Sequence, residues 1–138
     1  MSEQGWIGVD LDGTLSLYTK GDYNSFVVGP PIPKMVNRVK QWLREGKNVK
    51  IMTARVNPAT ETPDRLVKVV NIIKDWCIEQ FDQELPLTCS KDYHMYALYD
   101  DRACQVIPNT GETLEDAIKE RDLIISNLRR NQIGIKGS

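Results

Sequence analysis

The chain has 138 residues, 41% hydrophobic and 27% charged, with 18 basic and 19 acidic side chains for a net charge of -1. That length and balance predict one globular domain and exclude a disordered segment, which would hold fewer apolar residues and more net charge. No global field draws the chain to nucleic acid, and no apolar run approaches the ~20 residues that span a bilayer.

The start, Met1 to Trp6, is too polar for a signal peptide, so a soluble, cytoplasmic protein without a membrane partner is expected. Cys77, Cys89 and Cys104 are odd in number and widely spaced. They predict small buried thiols in a reducing compartment, not a disulfide framework or a structural zinc site.

In chain order, Trp6 to Asp10 (WIGVD) is an apolar run ending in an acid, which predicts a buried strand that opens into a site. Gly13 supplies the turn that follows. Leu15 to Pro33 is rich in Gly, Pro and aromatics without helical period, and predicts an ordered loop or small hairpin. Pro33 fits the first position of a helix, whose apolar residues Met35, Val36, Val39, Trp42 and Leu43 precede a stop at Gly46.

Asn48 to Thr53 predicts a second strand. Thr62-Pro63-Asp64 then starts a helix that carries Leu66, Val69, Val70, Ile73, Trp76, Cys77 and Phe81 on one face. Leu85 to Cys89, Tyr96 to Tyr99 and Cys104 to Ile107 are further strand candidates. Pro108 to Gly111 predicts a turn, Leu114 to Arg130 an amphipathic helix, and 131–138 a flexible tail. Strands alternating with helices predict an α/β fold, a mostly parallel central sheet with helices on both faces. Ligands bind beyond the carboxyl ends of the strands in such folds.

Those ends are rich in chemistry. The first strand delivers Asp10 and Asp12, the second Thr53 and Arg55, and Tyr96 to Tyr99 leads into Asp100-Asp101; Lys91 lies between the third and fourth strand candidates. Converging carboxylates repel one another, and a hard divalent cation with oxygen ligands offsets that repulsion. A lysine and a hydroxyl nearby would hold phosphate oxygens, completing the parts of a phosphoryl-transfer site.

Asp10-Leu11-Asp12-Gly13-Thr14-Leu15, directly after an apolar strand, resembles the first motif of the haloacid dehalogenase (HAD) superfamily. Thr53, Lys91 and the Asp100-Asp101 pair are similar to its second, third and fourth motifs, in the right order. The resemblance implies a single domain over 1–138 with a three-layer Rossmann-like HAD fold and a minimal cap. It also implies a magnesium-dependent phosphatase: Asp10 as nucleophile, Asp12 as general acid and base, Thr53 and Lys91 on the phosphoryl group. Thr14 and Arg55 would bind substrate. Magnesium would be held by Asp10, Asp100, Asp101 and the backbone carbonyl of Asp12. Asp12 separates this chain from the dehalogenase branch, which lacks the second acid.

Some readings stay open at this point. Arg55 suits a structural ion pair as well as a substrate contact, and Tyr18, Tyr23 and Phe26 suit a pocket wall as well as loop packing. His94 reads as a loop side chain without a catalytic task. Lys34, Arg38, Lys40, Arg44, Lys47 and Lys50 read as solvated surface. The expected substrate is a nucleotide or other phosphorylated metabolite. A polynucleotide 3′-phosphatase is one alternative, with nucleic acid as a less favoured partner; a non-enzymatic magnesium- and phosphate-binding module is the other. Oligomeric state is not written in the sequence.

Overall fold

The structure, a computed structural model, describes residues 5–21 and 23–137, with side-chain surroundings for 5–21 and 23–132. The polar start at Met1 to Gln4 and the end of the expected tail at Ser138 lie outside the described residues. The elements are β1 (Trp6–Val9), α1 (Pro33–Arg44), β2 (Asn48–Met52), α2 (Pro63–Phe81), β3 (Leu87–Thr88), β4 (Met95–Tyr99) and α3 (Leu114–Gly137), with a single 3-10 turn at Ala54–Val56. They fall into two compact units, Met1–Asp101 and Arg102–Ser138.

The first unit is an α/β fold on a four-stranded sheet in the order β3-β2-β1-β4. Every pairing is parallel, consistent with the expected Rossmann-like class. Register explains the core. Ile7 pairs with Val49 and Val9 with Ile51, so these four side chains share one face. They join Val36, Val39 and Trp42 of α1 and Val69, Ile73, Trp76, Cys77 and Phe81 of α2 in a single buried cluster. Both crossovers step across the sheet in the same direction, and right-handed connections then put both helices on the same face.

Local chemistry sets the helix ends. Pro33 opens α1, where its missing N–H costs nothing, and Gly46 leaves it with φ +79°. The Thr62 hydroxyl accepts the Arg65 amide at the start of α2, and Asp82 ends that helix in the left-handed region, φ 59°.

The segment 15–33 is an ordered hairpin-like flap. Leu17 donates to the Pro30 carbonyl and Ile32 to that of Leu15, both at 2.8 Å. The two arms run so close that a Cβ at Gly29 would collide with the Leu17 carbonyl oxygen. Phe26 packs against the core cluster, and Tyr23 is exposed.

The second unit corrects two expectations. Cys104 to Ile107 does not form a strand: Val106 makes an isolated antiparallel bridge to Thr113, and Ile107 N–H reaches the Glu112 carbonyl at 2.8 Å. Pro108, with Asn109 and Gly111 at positive φ, folds the chain back before a ladder can extend. Helix α3 also runs past Arg130 to Gly137, because no strong breaker interrupts the sequence; Gly134 weakens a helix by about 1 kcal/mol without stopping it. At its start Thr113 and Asp116 cap each other, and the two bonds from Thr113 hold the Asp116 carboxyl below its ordinary range.

The cysteines also divide. Cys77 is fully buried, and burial pushes its thiol up to about 11. Cys89 and Cys104 are exposed, contrary to the expectation that all three are buried. Each stands in irregular chain outside the sheet and helices.

Ile51→Ala and Ile73→Ala should each lower stability by about 2–5 kcal/mol in urea unfolding, because both side chains are fully buried. Val67→Ala, on the exposed face of α2, should stay within about 0.5 kcal/mol of the parent.

Candidate active site

The chain moves from β1 to β2 to β3 on one side, then returns to place β4 on the other side of β1. Strand order therefore switches at β1, and the crevice beyond the carboxyl ends of β1 and β4 is where such sheets bind ligands. Asp10 leaves β1 there, its amide donating to the Tyr99 carbonyl at 2.9 Å, and Asp100 and Asp101 leave β4 beside it. One carboxylate oxygen from each of Asp10, Asp100 and Asp101 lies within 4.8 Å of the other two. Residues separated by 90 positions in the chain thus meet because two parallel strands end side by side.

The turn after β1 is shaped to allow this. Gly13 has φ +87°, and a Cβ there would lie 2.6 Å from Asp101 Oδ2. A side chain would strain the backbone and displace the carboxylate. Thr14 fastens the other side: its Oγ1 accepts the Asp101 amide at 3.1 Å and donates to Asp101 Oδ1 at 3.4 Å. Thr14, expected to bind substrate, therefore positions Asp101.

Asp12 is turned to Arg55. Arg55 Nε donates to Oδ2 at 2.8 Å and Nη2 to Oδ1 at 2.7 Å, a two-pronged pair. Nη1 bonds the carbonyls of Asn24, Ser25 and Val27 at 3.1, 3.3 and 2.9 Å, and the guanidinium lies 4.9 Å from the Tyr23 ring centre. Arg55 is 5% exposed. Its sequence signal, an Arg just beyond a strand end, left ion pair and substrate contact open; the structure gives it the ion pair, and its hold on the flap had no sequence signal.

Thr53 is buried at the end of β2, with its amide on the Thr88 carbonyl at 2.8 Å. Its Oγ1 accepts the Arg55 amide at 3.2 Å, capping the 3-10 turn that presents Arg55. Lys91 is not gathered into this group. Lys91 is exposed, and the next residue, Asp92, accepts the indole N–H of Trp6 at 2.8 Å, at the start of β1. A four-residue strand is ~13 Å long, so that anchor lies at the far end of the sheet from Asp10. The physical reason is the short connection from β3 to β4, residues 89–94, which holds no helix. His94 belongs to the same far end, its carbonyl accepting the Trp6 amide at 3.0 Å.

The acid trio could hold a cation. Burial, then a hydrogen bond with Asp101 and the charge of Asp100, push the Asp10 carboxyl from 3.8 up to about 7. Oxygen ligands around magnesium sit at 2.0–2.1 Å from the metal, hence roughly 3–4 Å from one another. The three carboxylates span nearly that spacing, so small side-chain rotations would let them hold such an ion. The carboxylate of Asp12 stands outside the trio.

No family model matches the chain, and no curated protein matches it. Among solved structures, one described as the conserved protein coded by a locus from Bacteroides thetaiotaomicron is similar at 19% identity. The match covers 86% of this chain and 92% of that one, with a TM-score of 0.47.

Arg55→Lys keeps the charge but cannot span Asp12 and three carbonyls together. It should lower stability by about 2–4 kcal/mol in chemical denaturation and expose residues 18–28 to limited proteolysis. The Asp10 shift gives a second test. Its folded value is raised, so between about pH 4 and pH 7 the folded state keeps a proton that the unfolded state has lost, and this contribution to stability falls as pH rises through that window. A cation displaces the proton, so magnesium should raise the melting temperature more at about pH 8 than at about pH 5. Differential scanning calorimetry with and without magnesium at both values reads this directly.

Proposed function

We propose that this chain is a magnesium-dependent phosphomonoester hydrolase of the HAD type, working through an aspartyl phosphate on Asp10. The observation that carries the reading is the convergence of Asp10, Asp100 and Asp101 at the switch point of a parallel sheet. Magnesium, when bound by that trio, supplies positive charge against the phosphate and the carboxylates.

An Asp10 oxygen attacks phosphorus, an O–P bond forms to the aspartate, and the bond to the leaving oxygen breaks. Asp12 gives its proton to that oxygen. Water then attacks the aspartyl phosphate, Asp12 takes the proton, and free phosphate and Asp10 are restored. Both Asp12 oxygens accept from Arg55, so the carboxylate is held ready as the base, and one Arg55 bond must open for the acid step. The Arg55 guanidinium is a fixed positive charge beside Asp12. In this reading it carries part of the neutralising task that the sequence gives to Lys91. The Thr53 hydroxyl keeps its proton to donate to a phosphoryl oxygen, because its bond to Arg55 is as acceptor.

The test is phosphate release from para-nitrophenyl phosphate and a panel of nucleoside monophosphates, with magnesium or chelator. Wild type should turn over only with magnesium, and Asp10→Asn should lose at least about a thousandfold. Turnover that survives in Asp10→Asn would remove Asp10 as nucleophile. Magnesium binding without turnover of any phosphate ester would favour the non-enzymatic module.

A further inference from the structure

Two arginines close on the same short stretch of the flap. Arg55, on the 3-10 turn Ala54–Val56, sends Nη1 to the carbonyls of Asn24, Ser25 and Val27. Arg65, in the first turn of α2, reaches that stretch through its side chains. Its Nη2 donates to the Ser25 hydroxyl at 2.9 Å, and its guanidinium lies 4.4 Å from the Phe26 ring centre. Arg65 is itself held. Its Nε donates to Glu61 Oε2 at 3.0 Å, and the Glu61 side chain is only 13% exposed. A planar guanidinium fastened to a carboxylate, a hydroxyl and an aromatic ring keeps one orientation.

Glu61, Arg65, Ser25, Arg55 and Asp12 therefore form an unbroken line of contacts. Each guanidinium has its own carboxylate, and the neutral, buried Ser25 stands between the two cations. The line transmits position because Arg55 is rigid and buried. Its Nη1 serves the flap, while Nε and Nη2 serve Asp12, and all three lie in one plane. If the flap slackens at Ser25, Nη1 loses acceptors in a place where water cannot replace them, and the fork on Asp12 turns as Nη1 seeks others.

We propose that Arg65 is a positioning residue for Asp12: through Ser25 and Arg55, it sets the point from which the Asp12 carboxyl gives its proton to the leaving oxygen. This role rests on the phosphatase reading above. Proton transfer needs heavy atoms about 2.6–3.2 Å apart, and a misplacement of about 1 Å can cost about a hundredfold. The effect is selective by substrate. As the bond from phosphorus to the leaving oxygen breaks, a weakly basic oxygen departs with the electron pair unaided, whereas a basic one needs the proton of Asp12.

The test compares kcat/KM for phenyl phosphate and para-nitrophenyl phosphate, both with magnesium. The two esters share a ring and differ in the basicity of the leaving oxygen. Arg65→Gln should lower kcat/KM about tenfold for phenyl phosphate and less than about twofold for para-nitrophenyl phosphate. Ser25→Ala removes one hydroxyl and should act in the same direction. The double variant should lie within about twofold of Arg65→Gln, because both changes break one contact. In an Asp12→Asn background, Arg65→Gln should leave the ratio between the esters unchanged, which a general loosening of the fold would not do. Wild type inactive on both esters would remove the phosphatase reading and this role with it. Wild type active on both, with Arg65→Gln lowering the two equally or neither, would overturn this role alone. So would a ratio that Arg65→Gln still shifts when Asp12 is already Asn.

Discussion

A buried guanidinium must find partners for all three of its nitrogens, and Arg55 does so with two oxygens of Asp12 and three carbonyls of the flap. That demand joins three parts of the chain through one side chain: the turn after β1, the end of β2 and the flap. The charge cannot be left alone at 5% exposure, so the three parts are held at fixed mutual positions. Asp12 gains a defined direction from this, and direction is what distinguishes a catalytic acid or base from a solvated turn residue.

The flap is tied down elsewhere too. Arg65 donates to the Ser25 hydroxyl at 2.9 Å and stacks 4.4 Å from the Phe26 ring centre, while the Trp76 indole donates to the Gly29 carbonyl at 3.2 Å. Both anchors come from α2, whose other side chains fill the core. The packing that stabilises the sheet therefore also sets the wall of the crevice. Opposed to this stability is the acid trio, whose mutual repulsion is the cost that the fold carries for placing three carboxyls at one switch point.

Much of this was legible in the sequence. Apolar runs, Pro33, Thr62-Pro63 and Gly46 mark the main strands and helices through local chemistry. Asp10, Asp12, Asp100 and Asp101 stand out because acids close an apolar strand. The parts that were not legible depend on distance in space. Lys91 looks well placed in chain order, but the short connection after β3 carries it away from the crevice. The Arg55 contacts with the flap are main-chain carbonyls, which any residue supplies, so no pattern of side chains announces them. The strand expected at Cys104 to Ile107 had apolar character and no partner strand to accept it.

The ties on the flap are unevenly distributed along it. Arg55, Arg65 and Trp76 grip residues 23–29, and backbone bonds close the base at Leu15, Leu17, Pro30 and Ile32. Among the described residues, none of these ties reaches Tyr18 to Gly21. Chain length at that tip is thus nearly independent of the geometry of Asp12. A segment of many residues inserted there would leave the crevice walls intact, giving the fold a place where a larger cover could be acquired by descent or by engineering without rebuilding the site beneath it.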